Sequence, residues 1–313
     1  MEHRFFSNSG LQVSVLGLGT LMWGADTSSE DAQEILDIYL EAGGSLIDTS
    51  LSYGGEELIA PSVLGKLISQ ELREELTISA HIGFRGGRID ASRGRIRREL
   101  NTLLREMNTD YVDLVTVAGA DSHTPLEETV ETMADIIREG KARYVGFASM
   151  PVWRLAIATQ MLKERTGLTA TAASLPFSLL ERHREPEKLF EFAQHSQIGI
   201  AAYSPLAGGV LTGKYRSTIP ATSRGATDHL RHMVEPYLTP NARRVTEAAA
   251  KASEGLTRTM ADVSLSWLLS RPQVTTAICG PRTPAQAREI FSSSLQELPP
   301  QIANALSDVS APR

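Results

Sequence analysis

The sequence predicts an α/β protein with the (β/α)8 TIM barrel architecture and an N-terminal β-hairpin cap. Short apolar runs of strand length recur eight times, each before a longer segment with helical periodicity. These runs are apolar on both faces, as parallel strands are when helices cover the outside and side chains fill the inside. A chain of 313 residues also suits such a barrel, which takes about 250 residues plus insertions.

The predicted strands are separated by enough chain for a helix. They span Val13–Gly19, Ser45–Ser50, Leu76–His81, Tyr111–Ala118, Arg143–Ser149, Thr169–Leu175, Ile198–Ser204 and Val274–Cys279. Near the N-terminus, Arg4–Phe6 and Gln12–Ser14 flank Asn8-Ser9-Gly10. This pattern predicts a hairpin that caps the bottom of the barrel.

Start and stop signals indicate where the intervening helices lie. Thr124 to Glu127 predicts a capping box, and Gly140 ends that helix. Ser29 begins an earlier helix, and Thr259 begins a later one. Helices between successive strands favour a parallel sheet with right-handed crossovers, as a barrel requires.

An open doubly wound sheet is the alternative architecture. It is weakened because Gly17-Leu18-Gly19 is followed by Thr20–Gly24, without the third glycine of the G-x-G-x-x-G fingerprint. We find no linker and expect a single domain over residues 1–313. The segment Tyr215–Thr239 is long, polar and without periodicity, which is typical of a functional lid or a disordered loop.

Composition limits the partners. The formal net charge of −6 gives no electrostatic footprint for nucleic acid or an anionic membrane. The single cysteine, Cys279, cannot form an intramolecular disulfide, so we expect a cytoplasmic location. No His/Cys cluster has the spacing of a metal site. A membrane span needs about 20 apolar residues, and no apolar run in the sequence approaches that length. A small-molecule substrate is the remaining partner, and the oligomeric state is left open.

In a barrel the active site lies at the C-terminal ends of the strands. The residues there are Thr20, Trp23, Asp48, Tyr53, His81, Ala118, Ser149, Ser174, Tyr203, Ser204 and Gly280. Asp48 lies in the apolar stretch LIDTS, so its carboxylate needs a buried partner, and His81 on the adjacent strand is the candidate. Such a pair raises the pKa of His81 and leaves the imidazole able to exchange a proton with Tyr53.

Two turns at this end predict sites for anions. Gly280 to Gln286 follows the last strand and opens a helix whose capping box is Thr283 to Gln286, so free N–H groups face the pocket beside Arg282. Ser204 to Lys214 is a glycine-rich turn that ends in a lysine suited to a pyrophosphate. Two anion sites on neighbouring strands imply a ligand with two separated phosphate groups, such as NADP.

Over nearly its whole length the chain resembles the aldo-keto reductases. The motifs that carry this resemblance are LGLGT, IDTSLSYG, YVDL, REGKARYVGF, SLLER, AYSPLAGGVLTGKY, SWLL and GPRTPAQAREI. The resemblance implies an NADP-dependent carbonyl reductase in which Asp48 and Tyr53 belong to the catalytic group and Tyr203 stacks on the nicotinamide. It also implies cofactor contacts from Thr20, Ser149, Ser174, Ser204, Leu206, Gly208, Lys214, Gly280, Arg282, Gln286 and Glu289.

The departures from the family pattern cluster at the reacting centre. His81 stands at the position of the family's lysine and Ala118 at that of its histidine. Ala148-Ser149 replaces the Ser-Asn pair that holds the nicotinamide amide, Ser174 replaces a glutamine, and Ile290 replaces an asparagine that contacts adenine. Trp23 and Ala118 are the predicted substrate-pocket residues, and Ala118 widens that pocket.

Three functions are therefore open. The first is a carbonyl reductase that uses NADPH through an altered Asp48, Tyr53 and His81 relay. The second is a non-redox lyase, dehydratase or isomerase that uses the same three residues for proton transfer. The third is a non-catalytic protein that binds NADP, against which the presence of Asp48 and Tyr53 argues.

Overall fold

The computed structural model describes residues 1–7, 9–54, 59–119, 121–183 and 188–312, apart from the side chains of Ile59 and Arg85. Its strands are β1 (His3–Phe5), β2 (Gln12–Ser14), β3 (Leu16–Gly19), β4 (Leu46–Ser50), β5 (Thr77–Ile82), β6 (Phe84–Arg85), β7 (Arg88–Ile89), β8 (Val112–Ala118), β9 (Ala142–Ala148), β10 (Ala172–Pro176), β11 (Gly199–Tyr203) and β12 (Val274–Cys279).

Helices connect the strands of the barrel. They are α1 (Ser29–Glu41), α2 (Ile59–Leu67), α3 (Gln70–Glu75), α4 (Arg93–Glu106), α5 (Leu126–Arg138), α6 (Val152–Thr166), α7 (Leu189–Ser196), α8 (Pro240–Leu256), α9 (Met260–Leu269), α10 (Pro284–Phe291) and α11 (Pro300–Val309). In the part of the chain that the structure describes, no helix combines the length and apolarity needed to cross a membrane.

Eight parallel strands close into a barrel in the order β10-β11-β12-β3-β4-β5-β8-β9. The predicted (β/α)8 class is therefore confirmed. The strand at Val274–Cys279 has the predicted bounds, whereas the predicted strand Val13–Gly19 is two strands, because Val15 separates hairpin strand β2 from barrel strand β3. The strand predicted at Thr169–Leu175 begins only at Ala172.

The predicted N-terminal hairpin is also confirmed. Strands β1 and β2 pair antiparallel, with Arg4 opposite Val13. The side chains of Phe6, Leu11 and Val13 are buried in one cluster with Leu46 and other interior residues of the barrel. Burial of these three apolar side chains contributes about 1.5–3 kcal/mol each and closes the bottom of the barrel.

Side chains of the barrel strands alternate between the interior and the surrounding helices. On β8, Leu114 belongs to the interior cluster, whereas Val115 and Val117 belong to the cluster that includes the helices. Since side chains two residues apart point to the same face, Thr116 and Ala118 point into the barrel with Leu114.

One predicted helix start needs correction. The N-cap of α5 is Pro125 without a side-chain capping bond, because the Thr124 hydroxyl donates to Asp121 Oδ2 at 2.5 Å instead. Helix α1 begins at Ser29, as predicted, and its N-cap is Ser28. Thr259 caps α9 as predicted by accepting from Asp262 N. Asp48 is the third residue of β4, and Tyr53 lies in the turn that follows this strand.

Candidate active site

Asp48 joins the two other residues of the predicted catalytic group. The His81 Nε2 atom lies 2.9 Å from Asp48 Oδ1, and the Tyr53 hydroxyl donates to Asp48 Oδ2 over 3.2 Å. The Asp48 side chain is almost completely buried, at 4% exposure, and that of His81 is 15% exposed. Tyr53 and His81 thus meet through the carboxylate rather than through a direct bond between them.

Strand pairing explains this geometry. Strands β4 and β5 are parallel neighbours, with Ser50 opposite His81 in their register. Asp48 lies two residues before Ser50 and therefore points to the same face, within reach of the imidazole. The turn after β4 then places Tyr53, whose N–H donates to Ser50 O over 3.1 Å.

Gly54 makes this turn possible. Its φ is +84°, and its N–H donates to Leu21 O over 3.0 Å. A Cβ atom at this position would lie 2.6 Å from Ala60 N and 2.7 Å from Trp23 O, both of which are backbone atoms. The close contact holds the turn, and with it Tyr53, against the loop that follows β3.

Asp48 shifts both neighbours towards their protonated forms. Burial and the adjacent carboxylate raise the pKa of Tyr53 well above its ordinary value. Burial alone opposes a charged imidazole, but the attraction and hydrogen bond of Asp48 outweigh it and raise the pKa of His81 above 6.5. Both shifts favour the protonated forms of the imidazole and the phenol.

A cavity of about 570 Å³ begins at Asp48 and Tyr53, whereas His81 lies outside its lining. It extends past the end of β11 to the turn after β12, so that Asp48 and Tyr53 share one space with Lys214 and Gln286. Of the predicted site residues it is lined by Asp48, Tyr53, Tyr203, Ser204, Leu206, Gly208, Lys214, Gly280, Gln286 and Glu289.

The glycine-rich turn after β11 forms one wall of the cavity. Gly208, Gly209 and Gly213 have φ values of +64°, +93° and +86°, which favour glycine. A Cβ atom on Gly209 would lie 2.9 Å from Lys214 Nζ. The ammonium group of Lys214 therefore lies close to the backbone of this turn.

Positive charge accumulates at the far end of the cavity. Burial and the nearby Arg224 and Arg282 lower the pKa of Lys214 to about 8. Burial and Arg282 lower the pKa of Arg224 to about 10. The Nε atoms of both arginines are buried without a hydrogen-bond partner among the described residues. These three cations can hold an anion, and binding an anion there would offset their mutual repulsion.

Sequence reasoning missed Arg224. It lies in the segment Tyr215–Thr239, where no periodicity or motif indicates which side chain faces the cavity. Arg224 Nη2 donates to Gly280 O over 3.0 Å, and Arg282 Nη2 donates to Thr222 O over 2.6 Å. The only available signal was a basic residue in a long polar segment.

The same segment covers the cavity. Met233 lines it, and the Met233 carbonyl oxygen would be 2.5 Å from a Cβ atom on Gly208. His229 Nε2 lies 3.0 Å from Asp26 Oδ2 in the loop after β3. Further along, the Tyr237 hydroxyl donates to Glu181 Oε2 over 2.7 Å. We call residues 215–239 the cover, since these bonds hold them across the cavity.

The predicted capping box of α10 forms in modified shape. Thr283 Oγ1 accepts from Gln286 N over 3.4 Å, as predicted. The Gln286 side chain accepts from Arg282 N over 2.9 Å and so reaches one residue further back than the usual box. This bond fixes the backbone of Arg282 at the start of the helix.

Four predicted cofactor residues lie outside the lining of this cavity, namely Thr20, Ser149, Ser174 and Arg282. The Thr20 hydroxyl is buried and donates to Asp48 O and to Thr49 Oγ1, each over 3.0 Å. Ser149 is exposed, and its Oγ lies 2.9 Å from Tyr203 Oη. Ser174 is buried, and its hydroxyl has no hydrogen-bond partner among the described residues.

The two predicted substrate-pocket residues differ in position. Trp23 is completely buried, with 0% exposure, and does not line this cavity. Ala118 ends β8 and is half-buried, and its register partner is Ala148. Two methyl groups thus stand side by side at the mouth of the barrel.

Across the described ranges, no cluster of three or more His, Cys, Asp or Glu residues could hold a metal ion.

Comparisons with known proteins agree with this geometry. The model of the aldo/keto reductase family matches residues 15–311. The chain is also similar to an uncharacterized oxidoreductase, YrpG, of Bacillus subtilis (strain 168). The two are 30% identical over 325 residues, which cover 99% of this chain and 96% of that protein. With its barrel, its tyrosine–aspartate pair and its glycine-rich turn, the chain belongs to the aldo/keto reductase family.

Proposed function

We propose that this protein reduces a small-molecule carbonyl compound with NADPH, using Tyr53, Asp48 and His81 as its proton relay. Membership of the aldo/keto reductase family supports an oxidoreductase function. The observation that carries the finer proposal is the shared cavity, which connects Tyr53 and Asp48 at one end with Lys214 and Arg224 at the other. A dinucleotide is a ligand whose reactive and anionic ends are separated in this way.

The residues present fit NADP. Lys214 lies over the glycine-rich turn and would hold the diphosphate. The unpartnered Nε atoms of Arg224 and Arg282 offer donors to a further phosphate, which NADP has and NAD lacks. Ser174 has a buried hydroxyl without a partner among the described residues, which suits the nicotinamide amide at the position where the family has a glutamine.

The chain's own residues account for the proton transfers. NADPH, when bound, supplies a hydride to the carbonyl carbon. Tyr53 donates its proton to the carbonyl oxygen, and its raised pKa keeps the phenol protonated until then. His81 returns a proton to Tyr53 through Asp48, and the imidazolium becomes neutral imidazole. The carboxylate passes the proton on and ends the cycle unprotonated.

A second candidate has one observation in its favour. Asp48 binds the protons of both Tyr53 and His81, and the pKa of Tyr53 is raised rather than lowered. A lyase, dehydratase or isomerase would use such a group to move a proton next to a carbonyl without a hydride. In that case the substrate would react without cofactor.

The test measures NADPH binding and turnover separately. Titration of the protein with NADPH, followed by quenching of tryptophan fluorescence, gives the affinity. Oxidation of NADPH at 340 nm with a panel of aldehydes and ketones gives the activity. We expect binding and turnover, with Tyr53→Phe lowering kcat by about 10²- to 10⁴-fold and leaving the Kd for NADPH unchanged.

Other outcomes distinguish the alternatives. Conversion of a hydroxy-carbonyl compound without cofactor, lost in Tyr53→Phe, would establish the proton-transfer enzyme. Binding of NADPH without turnover of any carbonyl would indicate a non-catalytic binding protein. Failure to bind NADPH at millimolar concentration would overturn the proposal.

A further inference from the structure

Thr116 has a buried hydroxyl that the proposed reaction does not use. Its residue is 1% exposed, and Oγ1 has no hydrogen-bond partner among the described residues. Threonine at this depth is costly unless its hydroxyl is paired, because burying an unpaired polar group costs about 1–3 kcal/mol. A nearby polar group is therefore expected to engage it.

The strand register identifies that group. Thr116 on β8 is the register partner of His81 on β5, and the two strands are parallel. Registered residues of parallel neighbours lie about 4.8 Å apart and point to the same face, so both side chains point into the barrel. His81 uses Nε2 for Asp48, which leaves Nδ1 as the nitrogen available to the β8 side.

The surroundings suit one internal water. Ser79 precedes His81 by two residues on the same strand and is 4% exposed, so a second hydroxyl lies below the imidazole on this face. Ala118, two residues beyond Thr116, contributes only a methyl group above it. Buried waters typically make about three hydrogen bonds, and Thr116, Ser79 and His81 supply three partners.

We propose that Thr116 positions the imidazole of His81 by binding, through one internal water, the ring nitrogen that does not contact Asp48. This deepens the proposed function, since it rests on His81 as the proton store of that reaction. When His81 carries its proton, Nδ1–H donates to the water, and the water donates to Thr116 or Ser79. Both ring N–H groups of the buried imidazolium are then satisfied.

Other ionisable groups around His81 do not replace this contact. Asp48 on β4 binds Nε2, and Tyr53 in the following turn binds the same carboxylate. Tyr203 stands across the mouth on β11. Glu99 of α4 lies behind β5, where it accepts from Gly83 N and pairs with Arg95. On β8 the interior residues at this level, Thr116 and Ala118, are not ionisable.

The experiment titrates His81 in the free protein, without cofactor or substrate. Histidine labelled with ¹³C at Cε1 gives one NMR signal for each of the seven histidines, and His81→Gln identifies the signal of His81. Thr116→Val removes the hydroxyl and keeps the shape. We expect the His81 titration midpoint to fall by about 1 pH unit, because the water that accepts from the buried imidazolium loses the Thr116 hydroxyl that holds it in place.

Matched variants make the result specific. Thr276→Val removes another buried hydroxyl without a partner among the described residues, on β12, which does not neighbour β5, and should leave the midpoint unchanged. Thr116→Ser keeps the hydroxyl, so the His81 titration midpoint in this variant should equal that of the parent protein. If the valine variant does not fold, Thr116→Ala also removes the hydroxyl and takes its place in the titration. An unchanged midpoint in the variants without the hydroxyl, or an equal shift in Thr276→Val, overturns the proposal, whereas NADPH turnover tests the proposed function independently.

Discussion

Arg224 and Arg282 each donate to a backbone carbonyl of the segment that carries the other. Arg224 binds Gly280 O in the turn before Arg282, and Arg282 binds Thr222 O in the cover, just before Arg224. The two guanidinium groups are thereby held close together although they repel, and burial together with this repulsion lowers the pKa of Arg224 to about 10. The exchange ties the cover to the start of α10 and prepares a site for an anion.

Arg224→Leu should weaken NADPH binding about 10- to 100-fold, because one charge-assisted donor to the anion is lost. NADH lacks the additional phosphate, so its affinities for this variant and for the parent protein should differ less than the two affinities for NADPH do. Fluorescence titration with both cofactors measures the four constants. Arg231→Leu, an exposed arginine in the same cover that pairs with Asp228, is the control and should bind both cofactors as the parent does. An equal loss of NADPH affinity in the two variants would show that Arg224 does not contribute to the anion site.

The affinity for NADPH should fall as the pH rises above about 8, where the free protein loses the proton of Lys214. A bound anion raises the pKa of this amine again, so binding takes up a proton between that pH and the ordinary value of 10.5. Kd measured from pH 7 to 10 should rise by up to about tenfold per unit. Lys214→Arg keeps its charge and should flatten this dependence; a parallel dependence in the variant would contradict the assignment to Lys214.

Gly208→Ala should displace the cover. At φ +64° alanine is strained, and its Cβ would lie 2.5 Å from the Met233 carbonyl oxygen, a backbone atom that cannot move by itself. Gly140→Ala is the control, because its φ is +72° but a Cβ atom meets nothing within 4 Å. Both variants should lose about 1 kcal/mol of stability from the backbone, and only Gly208→Ala should also lose NADPH affinity. Thermal unfolding and cofactor titration separate the two effects.

The pairing of His81 with Asp48 should stabilise the fold in a defined pH range. The folded-state pKa of His81 is raised above 6.5, so its contribution is complete below that pH and is lost as the pH rises through the folded value. The difference in unfolding free energy between the parent and His81→Gln should therefore be larger at pH 6 than at pH 9. Urea denaturation at the two pH values measures it, and a constant difference would show that protonation of His81 does not contribute.

The parts predictable from sequence are those set by strand order. Asp48 and His81 lie on adjacent strands, so the rule that active sites form at strand ends brings their side chains together before any coordinates are known. The approximate positions of the barrel strands and of the hairpin follow from apolar patterns in the same way, whereas several strand bounds differ from the predicted ones. These features depend on short-range periodicity and on one topological rule.

The parts that were missed depend on long-range contacts of irregular chain. Arg224 reaches Gly280 across 56 positions, and the cover has no period from which its facing side chains could be predicted. The bond from Tyr53 to Asp48 instead of a contact with His81 depends on the exact turn at Gly54. Thr124 was misassigned as a cap because Asp121, three residues earlier, competes for its hydroxyl.

The plugged floor of the barrel has a consequence for proton exchange. Phe6, Leu11 and Val13 cover the lower end of the barrel with buried apolar side chains. We therefore expect a proton or water that reaches Thr116 or Ser79 to enter from the other end, past Asp48 and His81. Deuterium entering the barrel from solvent would therefore arrive by way of the catalytic group, and the residues that cover the floor set the direction from which the active site is supplied.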